Sequence, residues 1–161
     1  MKLFIGADLG TSGLKMLLID EEGKILRVVT ESYELILPRP LWSEERPDDW
    51  MDAFYTGFEK LLAGYDRKDV CAIGTGGQMH GLVVLDSDDF VIRNAILWND
   101  GRCEEEVEYL NKTIGKDKLI KYTGNIAFAG FTAPKLLWMR NHERKDFDRI
   151  SKIMLPKDYL T

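Results

Sequence analysis

The sequence is poor in cysteine, in basic clusters and in long apolar runs. Its two cysteines, Cys71 and Cys103, lie far apart and outside any metal-ligand spacing, so we interpret them as reduced thiols in a cytoplasmic protein. No apolar run approaches the ~20 residues of a membrane helix, and we expect neither a membrane partner nor a signal peptide. No run of Lys or Arg accompanies the net charge of −5, which argues against nucleic acid as a partner.

Two common nucleotide-binding motifs are also missing. The chain has no GxxxxGK[ST] sequence, which excludes a P-loop protein. Gly74-Thr75-Gly76 follows a predicted strand, as in a dinucleotide-binding fingerprint, but Met79 stands where that fingerprint needs Gly or Ala. Another strand follows instead of a helix, so a nicotinamide-dependent oxidoreductase is the weaker alternative.

What the chain does contain is a succession of short strands and helices, with enough apolar residues (45% of 161) for one domain with a core. The patterns predict strands at 3–8, 13–20 and 25–36, a proline-punctuated loop at 37–46, a helix at 48–63 and a buried strand at 70–74. Later segments predict strands at 82–86, 95–98 and 151–155 and helices at 102–112, 116–122 and 133–141. The βββαβ order, with the strand after the helix added in parallel, predicts an α/β domain with a mixed sheet.

The chain ends inside a predicted helix start. Pro156 stands at a first helical turn with Asp158 close behind, and no glycine stop signal or polar tail follows. We therefore expect residues 1–161 to be an incomplete fragment of a longer protein.

The stretch 5–15 predicts a β-hairpin with a glycine-rich tip. This tip carries one carboxylate, two hydroxyl groups and two glycines: Asp8, Thr11, Ser12, Gly10 and Gly13. Glycines let the backbone approach a ligand closely, and bare N–H groups beside a carboxylate suit a phosphate with its metal ion. The alternative is an ordinary hairpin with turn glycines and a surface aspartate.

Three polar clusters follow the ends of apolar strands. They cover residues 8–13, 76–80 and 99–102. Ligands of open α/β sheets bind beyond the carboxyl ends of the strands, so we expect the three clusters to converge on one cleft.

A set of motifs carries a resemblance to a known family. These are Gly6-x-Asp8-x-Gly10-Thr11-Ser12-x-x-Lys15, Trp42-Ser43-Glu44, Gly76-Gly77-Gln78-Met79-His80-Gly81-Leu82-Val83, Leu97-Trp98-Asn99-Asp100-Gly101-Arg102, Thr132-Ala133-Pro134-Lys135-Leu136-Leu137-Trp138 and Leu155-Pro156-Lys157-Asp158-Tyr159-Leu160. The first resembles the phosphate motif of the superfamily of actin and hexokinase. Together, in this order, they resemble the N-terminal domain of the FGGY carbohydrate kinases. The resemblance implies a ribonuclease H-like (actin-like ATPase) fold.

The resemblance also implies ATP and Mg²⁺ as cofactors at the hairpin tip. Asp8 matches the acidic residue that holds the waters of Mg²⁺ beside the γ-phosphate. The expected nucleotide contacts belong to the same motif and offer hydroxyl, ammonium and backbone N–H donors: Gly10, Thr11, Ser12 and Lys15.

The sugar is expected at the second cluster, on Gln78, Met79 and His80. The pair Met79-His80 matches xylulose-specific members of the family, whereas glycerol kinases have Arg-Glu there. The imidazole would hydrogen bond a sugar hydroxyl, and Met79 would face the carbon chain. The family also places Asp100 and Arg102 beside the sugar; the alternative, equally open, is a helix N-cap at Asp100 with a solvated Arg102.

Three residues of a later motif, Phe131, Thr132 and Lys135, are expected to be structural parts of the pocket wall. The other histidine, His142, lies at a polar helix end, and no metal site of histidines is implied.

The implied function is transfer of the ATP γ-phosphate to a small sugar, D-xylulose, by the full-length protein. Residues 1–161 would be the N-terminal, sugar-binding domain, with the catalytic aspartate beyond Thr161 and the C-terminal ATP-binding domain absent. We expect this fragment alone to be inactive, and we allow a homodimer. The alternatives are a kinase of the same family acting on glycerol, ribulose, gluconate or a related polyol or ketose, and a non-catalytic actin-like sugar-binding module.

Overall fold

A computed structural model describes residues 1–161. Its strands are β1 (Leu3–Leu9), β2 (Gly13–Asp20), β3 (Ile25–Ser32), β4 (Glu44–Glu45), β5 (Val70–Gly77), β6 (Val83–Leu85), β7 (Ala95–Ile96) and β8 (Lys152–Met154). Its α-helices are α1 (Pro47–Leu61), α2 (Glu104–Tyr109), α3 (Lys116–Thr123), α4 (Thr132–His142), α5 (Arg144–Phe147) and α6 (Pro156–Tyr159). A 3-10 turn at Arg67–Asp69 precedes β5, and a π-helical segment at Leu110–Gly115 joins α2 to α3.

The chain forms two compact units. The first comprises Met1–Leu35, Arg46–Gln78 and Pro156–Thr161, and the second comprises Ile36–Glu45 and Met79–Leu155. None of the helices combines the length and apolar character that crossing a membrane requires.

The first unit is built on a four-stranded sheet in the order β3-β2-β1-β5. Short turns make β1, β2 and β3 an antiparallel meander, and β5 joins β1 in parallel after the α1 crossover. Side chains alternate along the strands, so one face of β1 and β2 is apolar and buried: Leu3, Ile5, Ala7, Leu9, Leu14, Met16 and Leu18. The predicted mixed α/β class is confirmed.

Helix α1 covers the apolar face of this sheet. It begins at Pro47, one residue before the predicted start, with two acidic residues in its first turn. At Gly57 an added Cβ would lie 2.7 Å from Met16 Sδ, so glycine allows the helix to lie close on β2. At the other end, Arg27 Nη1 donates to the carbonyls of Lys60, Leu61 and Ala63 at 2.8–2.9 Å and caps the helix.

The second unit holds two small sheets, β4 with β7 and β6 with β8, together with helices α2 to α5. Its core consists of buried residues from β6, β7, α4 and the segments beside them: Leu82, Val84, Ile96, Cys103, Trp138 and Met139. The predicted helix at 102–112 begins later, and its final turns are π-helical.

Several predicted elements differ from those observed. The third strand ends at Ser32 instead of residue 36, and the proline-rich loop contains β4, because Glu44 and Glu45 pair with β7. Strand β5 continues through Gly77, and its residues 71–74 are exposed, so the prediction of a short buried strand was wrong. Ile73 is 45% exposed. Apolar composition does not reveal which layers cover a strand.

Candidate active site

The predicted hairpin tip forms between β1 and β2. Gly10 N donates to Gly13 O at 3.1 Å and closes the turn. The Gly10 carbonyl accepts from Tyr33 Oη and, at 3.4 Å, from Gln78 Nε2. Gln78 N donates to Leu9 O at 2.8 Å. Gln78 is thus brought to the hairpin, and two side chains fix the orientation of its tip.

Asp8 and Lys15 lie opposite each other on β1 and β2. Both side chains are exposed, on the face of the sheet opposite α1. On its other edge β1 pairs in parallel with β5, and there Asp8 lies opposite Gly76. The carboxyl ends of β1 and β5 are therefore neighbours. Residues 76–78 of the second predicted cluster lie beside the first cluster. Ser12 is exposed and Thr11 half-buried at the tip.

The side chains at this tip fit a magnesium ion bound to phosphate through one carboxylate. No three His, Cys, Asp or Glu side chains are grouped to hold a metal. The exposed carboxylate of Asp8 would hold one ligand position of Mg²⁺, with water and phosphate oxygens as the other ligands. This is the usual coordination of Mg²⁺ in phosphoryl-transfer sites, because Mg²⁺ retains several of its waters.

Gly77 explains why the second cluster is rich in glycine. Its φ is +137°, and an added Cβ would lie 2.5 Å from Leu9 O. Only glycine allows β5 to end against β1 in this conformation. At Gly76 nothing lies within 4 Å of an added Cβ, so the two adjacent glycines are not equivalent.

In the second unit, His80 and Met79 are both exposed. The His80 imidazole stacks on Phe131, with ring centroids 4.8 Å apart and planes at 28°. Thr132 Oγ1 lies 3.2 Å from both His80 O and Gly81 O, and it can donate to either carbonyl. The start of α4 thus holds both the ring and the backbone of His80.

Lys135 lies on α4 and is fully buried. Its Nζ donates to Ala129 O at 2.7 Å and to Phe131 O at 3.1 Å. Burial lowers the pKa of Lys135 to about 8, although the negative charge of the nearby Asp100 raises it in part. Burial likewise raises the pKa of the Cys103 thiol to about 11, so this cysteine stays protonated at neutral pH.

The third predicted cluster is a buried ion-pair network. Arg102 pairs bidentately with Asp100 through Nε and Nη2, at 2.9 and 2.7 Å. Its Nη2 also lies 2.8 Å from Glu44 Oε1, and its guanidinium carbon lies 3.8 Å from the centre of the Trp42 ring. The side chains of Arg102 and Asp100 are both 0% exposed. Cation–π stacking and paired carboxylates compensate for the burial of this charge.

This network corrects two details of the sequence interpretation. The N-cap of α2 is Cys103, not Asp100, and Arg102 is not solvated. The third cluster follows β7, which pairs with β4, and it therefore follows a strand outside the four-stranded sheet. The Asp100 carboxylate pairs with Nε and Nη2 of Arg102, whereas Nη1 is buried without a hydrogen-bond partner. The complete burial of the pair favours a structural role.

Sequence reasoning missed two residues of these arrangements. Tyr33 was not predicted at the hairpin tip, because β3 ends before it and no spacing relates it to Gly10. Glu44 lies within a motif that carries the family resemblance, but its contact with Arg102 spans distant parts of the sequence. An acidic residue beside a tryptophan in a proline-rich loop was the only available signal.

The fold and the hairpin tip define an actin-like domain of the type found in sugar kinases. The chain belongs to the FGGY family of carbohydrate kinases: residues 3–161 match its N-terminal domain. The xylulose kinase of Escherichia coli (strain K12) is 46% identical over 158 residues, 98% of this chain and 32% of that protein.

Solved structures agree with this assignment. A "xyloylose kinase" from Brucella ovis superposes with a TM-score of 0.92 at 43% identity, over 98% of this chain and 33% of that one. A gluconate kinase from Lactobacillus acidophilus gives 0.91 at 31% identity, over 99% of this chain and 32% of that one. The chain thus spans about one third of the length of the relatives it matches.

Proposed function

We propose that the full-length protein carrying this chain is an ATP-dependent sugar kinase that converts D-xylulose and ATP to xylulose 5-phosphate and ADP. The observation that carries the proposal is the exposed Met79–His80 turn, whose imidazole is held against Phe131 and available to a ligand. The similarity to proteins named xylulose kinase supports the same substrate.

The proposed roles follow from the donors available. His80 hydrogen bonds a sugar hydroxyl, Met79 packs against the carbon chain, and Gln78 donates to the Gly10 carbonyl at the hairpin tip. Asp100 and Arg102 support this surface from within the second unit, without a direct bond to the sugar.

At the hairpin tip, Asp8 holds waters of Mg²⁺, which supplies positive charge to the transferring phosphoryl group. Gly10, Thr11, Ser12 and Lys15 offer the nucleotide phosphates backbone N–H, hydroxyl and ammonium donors. The base that takes the proton of the attacking hydroxyl is assigned to no carboxylate of this chain. Residues 1–161 act as the N-terminal sugar-binding domain of a longer, cytoplasmic protein, alone or as a homodimer, without nucleic acid or membrane as a partner.

The test is a substrate panel with the full-length protein. Coupled ADP assays with D-xylulose, D-ribulose, glycerol and gluconate should give the highest kcat/KM for D-xylulose. His80→Ala should raise the KM for the sugar by about tenfold or more, with the KM for ATP within about twofold, because a sugar contact is lost and the nucleotide contacts remain.

His142→Ala is the matched control, since it changes the chain's other histidine at the far end of α4, and both KM values should stay near those of the wild type. An unchanged sugar KM in His80→Ala would refute the pocket assignment.

A second candidate is a kinase of this family with another substrate. The likeness to a gluconate kinase at 31% identity favours keeping it. In the same panel, a higher kcat/KM for gluconate, glycerol or ribulose than for D-xylulose would select it. If no sugar stimulates ADP formation by the full-length protein, the kinase proposal fails and a non-catalytic sugar-binding module remains.

A further inference from the structure

Lys135 is an unusual core residue because its charged group has no carboxylate bonded to it. It is completely buried on α4. Burial of an ammonium group costs several kcal/mol unless hydrogen bonds compensate for it. The two hydrogen bonds of Lys135 both go to backbone carbonyls of the segment 129–131.

These two bonds fix a short connection that has no secondary structure of its own. Ala129 O also accepts from Cys103 Sγ at 3.5 Å, so a second buried side chain holds the same carbonyl. Gly130 lies so close to the preceding loop that an added Cβ would be 3.0 Å from Trp98 O. Lys135 and Cys103 thus hold the segment by hydrogen bonds to its carbonyls, and Gly130 lies in close contact with the Trp98 carbonyl.

The last residue of this segment is Phe131. Its ring stacks on the His80 imidazole and also meets Phe128 edge to face, with centroids 5.3 Å apart. A shift of the Phe131 carbonyl therefore moves the ring against which the imidazole rests. A neutral lysine amine still has two N–H groups, one for each carbonyl, so the arrangement does not depend on the charge of Lys135.

We propose that Lys135 is a positioning residue for the sugar: by holding the carbonyls of Ala129 and Phe131, it sets the Phe131 ring and, through it, the orientation of the His80 imidazole. This inference rests on the proposed contact of His80 with the sugar. It assigns a role in substrate affinity to a side chain that does not reach the substrate.

The experiment uses steady-state kinetics of the full-length protein, with whichever sugar the wild type phosphorylates best. Lys135→Met removes the donors but keeps an apolar side chain of similar length, and Phe131→Leu removes the ring but keeps its carbonyl. Each should raise the KM for the sugar by about tenfold, as the loss of an oriented aromatic contact and hydrogen bond predicts, with the KM for ATP within about twofold. Lys118→Met, an exposed lysine on α3, is the control and should leave both constants unchanged.

A double-mutant cycle separates positioning from general structural support. If Lys135 acts through Phe131, the double variant should show about the same tenfold increase as either single variant, because the two share one effect. A multiplicative, about hundredfold increase would overturn the proposal, as would a sugar KM that stays unchanged in either single variant. A Lys135→Met protein that does not fold would assign the lysine to the fold alone and would also overturn it.

The outcomes are distinct from those of the proposed function. A wild type that prefers another sugar removes xylulose as the substrate but leaves the Lys135 test intact on that sugar. A His80→Ala variant with unchanged sugar KM removes the contact on which the inference rests. If His80→Ala raises the sugar KM and the Lys135 and Phe131 variants do not, only the positioning inference fails.

Discussion

At the scale of single residues, Arg102 shows how strongly burial changes the meaning of a charged motif. Its guanidinium lies within a network formed by Asp100, Glu44, Trp42 and Trp138. A second arginine, Arg93, pairs with Glu44 and with Glu143, so the group contains two arginines and three carboxylates. A residue so placed serves the fold, because its removal leaves the buried carboxylate of Asp100 without its cationic partner.

We therefore predict that Arg102→Met lowers the free energy of unfolding by about 3–5 kcal/mol, since Asp100 and Glu44 would keep their charges in the core. Urea denaturation of the 161-residue chain, followed by tryptophan fluorescence, measures the loss. Arg149→Met is the control, because its pair with Asp86 is screened by solvent and should contribute much less. Equal losses in the two variants would contradict the assigned role of the buried network.

At the scale of elements, the junction between β1 and β5 organises the hairpin tip. The two strands run in parallel, and their ends bring Asp8 beside Gly76 and Gln78 beside Gly10. Gly77 allows this approach through its positive φ and its lack of a side chain. The geometry of the predicted phosphate site thus depends on one backbone conformation in a strand, not only on the hairpin that carries the motif.

Gly77→Ala should destabilise the chain by about 1–3 kcal/mol, because the new Cβ would clash with Leu9 and the φ of +137° would be strained. In the full-length protein it should also raise the KM for ATP more than the KM for the sugar, through displacement of the hairpin tip. Gly76→Ala is the matched control and should cost less, since its Cβ would meet no atom within 4 Å. Urea midpoints and KM values would be measured for both variants. A Gly76→Ala protein that is less stable than Gly77→Ala would contradict the prediction.

At the scale of the whole molecule, the chain is one third of the length of its relatives and contains two compact units. Phosphoryl transfer requires a positioned base in addition to metal and phosphate contacts. The proposed site gives the metal one carboxylate, that of Asp8, and the carboxylate of Asp100 is occupied by its ion pair with Arg102.

The purified 161-residue chain should therefore be catalytically inactive: its sugar-dependent ADP formation should fall at least about a thousandfold below that of the full-length protein, because general base catalysis is lost. Both proteins would be assayed side by side with ATP, Mg²⁺ and D-xylulose. Circular dichroism of the short chain would verify that it is folded. Substantial turnover by the folded short chain would show that its own carboxylates complete the site.

Local sequence was enough to predict many of the elements and the position of the hairpin tip. Alternating apolar residues and short glycine turns specify β1 and β2, and Pro47 followed by acidic residues specifies the start of α1. These features depend on contacts between residues that are near in sequence. The order of motifs along the chain then indicated the family, which the match over residues 3–161 establishes.

Only the tertiary structure decided which polar residues face solvent and which are buried against a partner. Asp8 and Asp100 both follow apolar runs, yet Asp8 is exposed on an open sheet face, whereas Asp100 meets Arg102 and the backbone of Ser43 in the core. Likewise, nothing in the sequence assigns the ammonium of Lys135 to two carbonyls beside Phe131. The hairpin motif is local, whereas burial and pairing of charge depend on segments that folding brings together from distant parts of the chain.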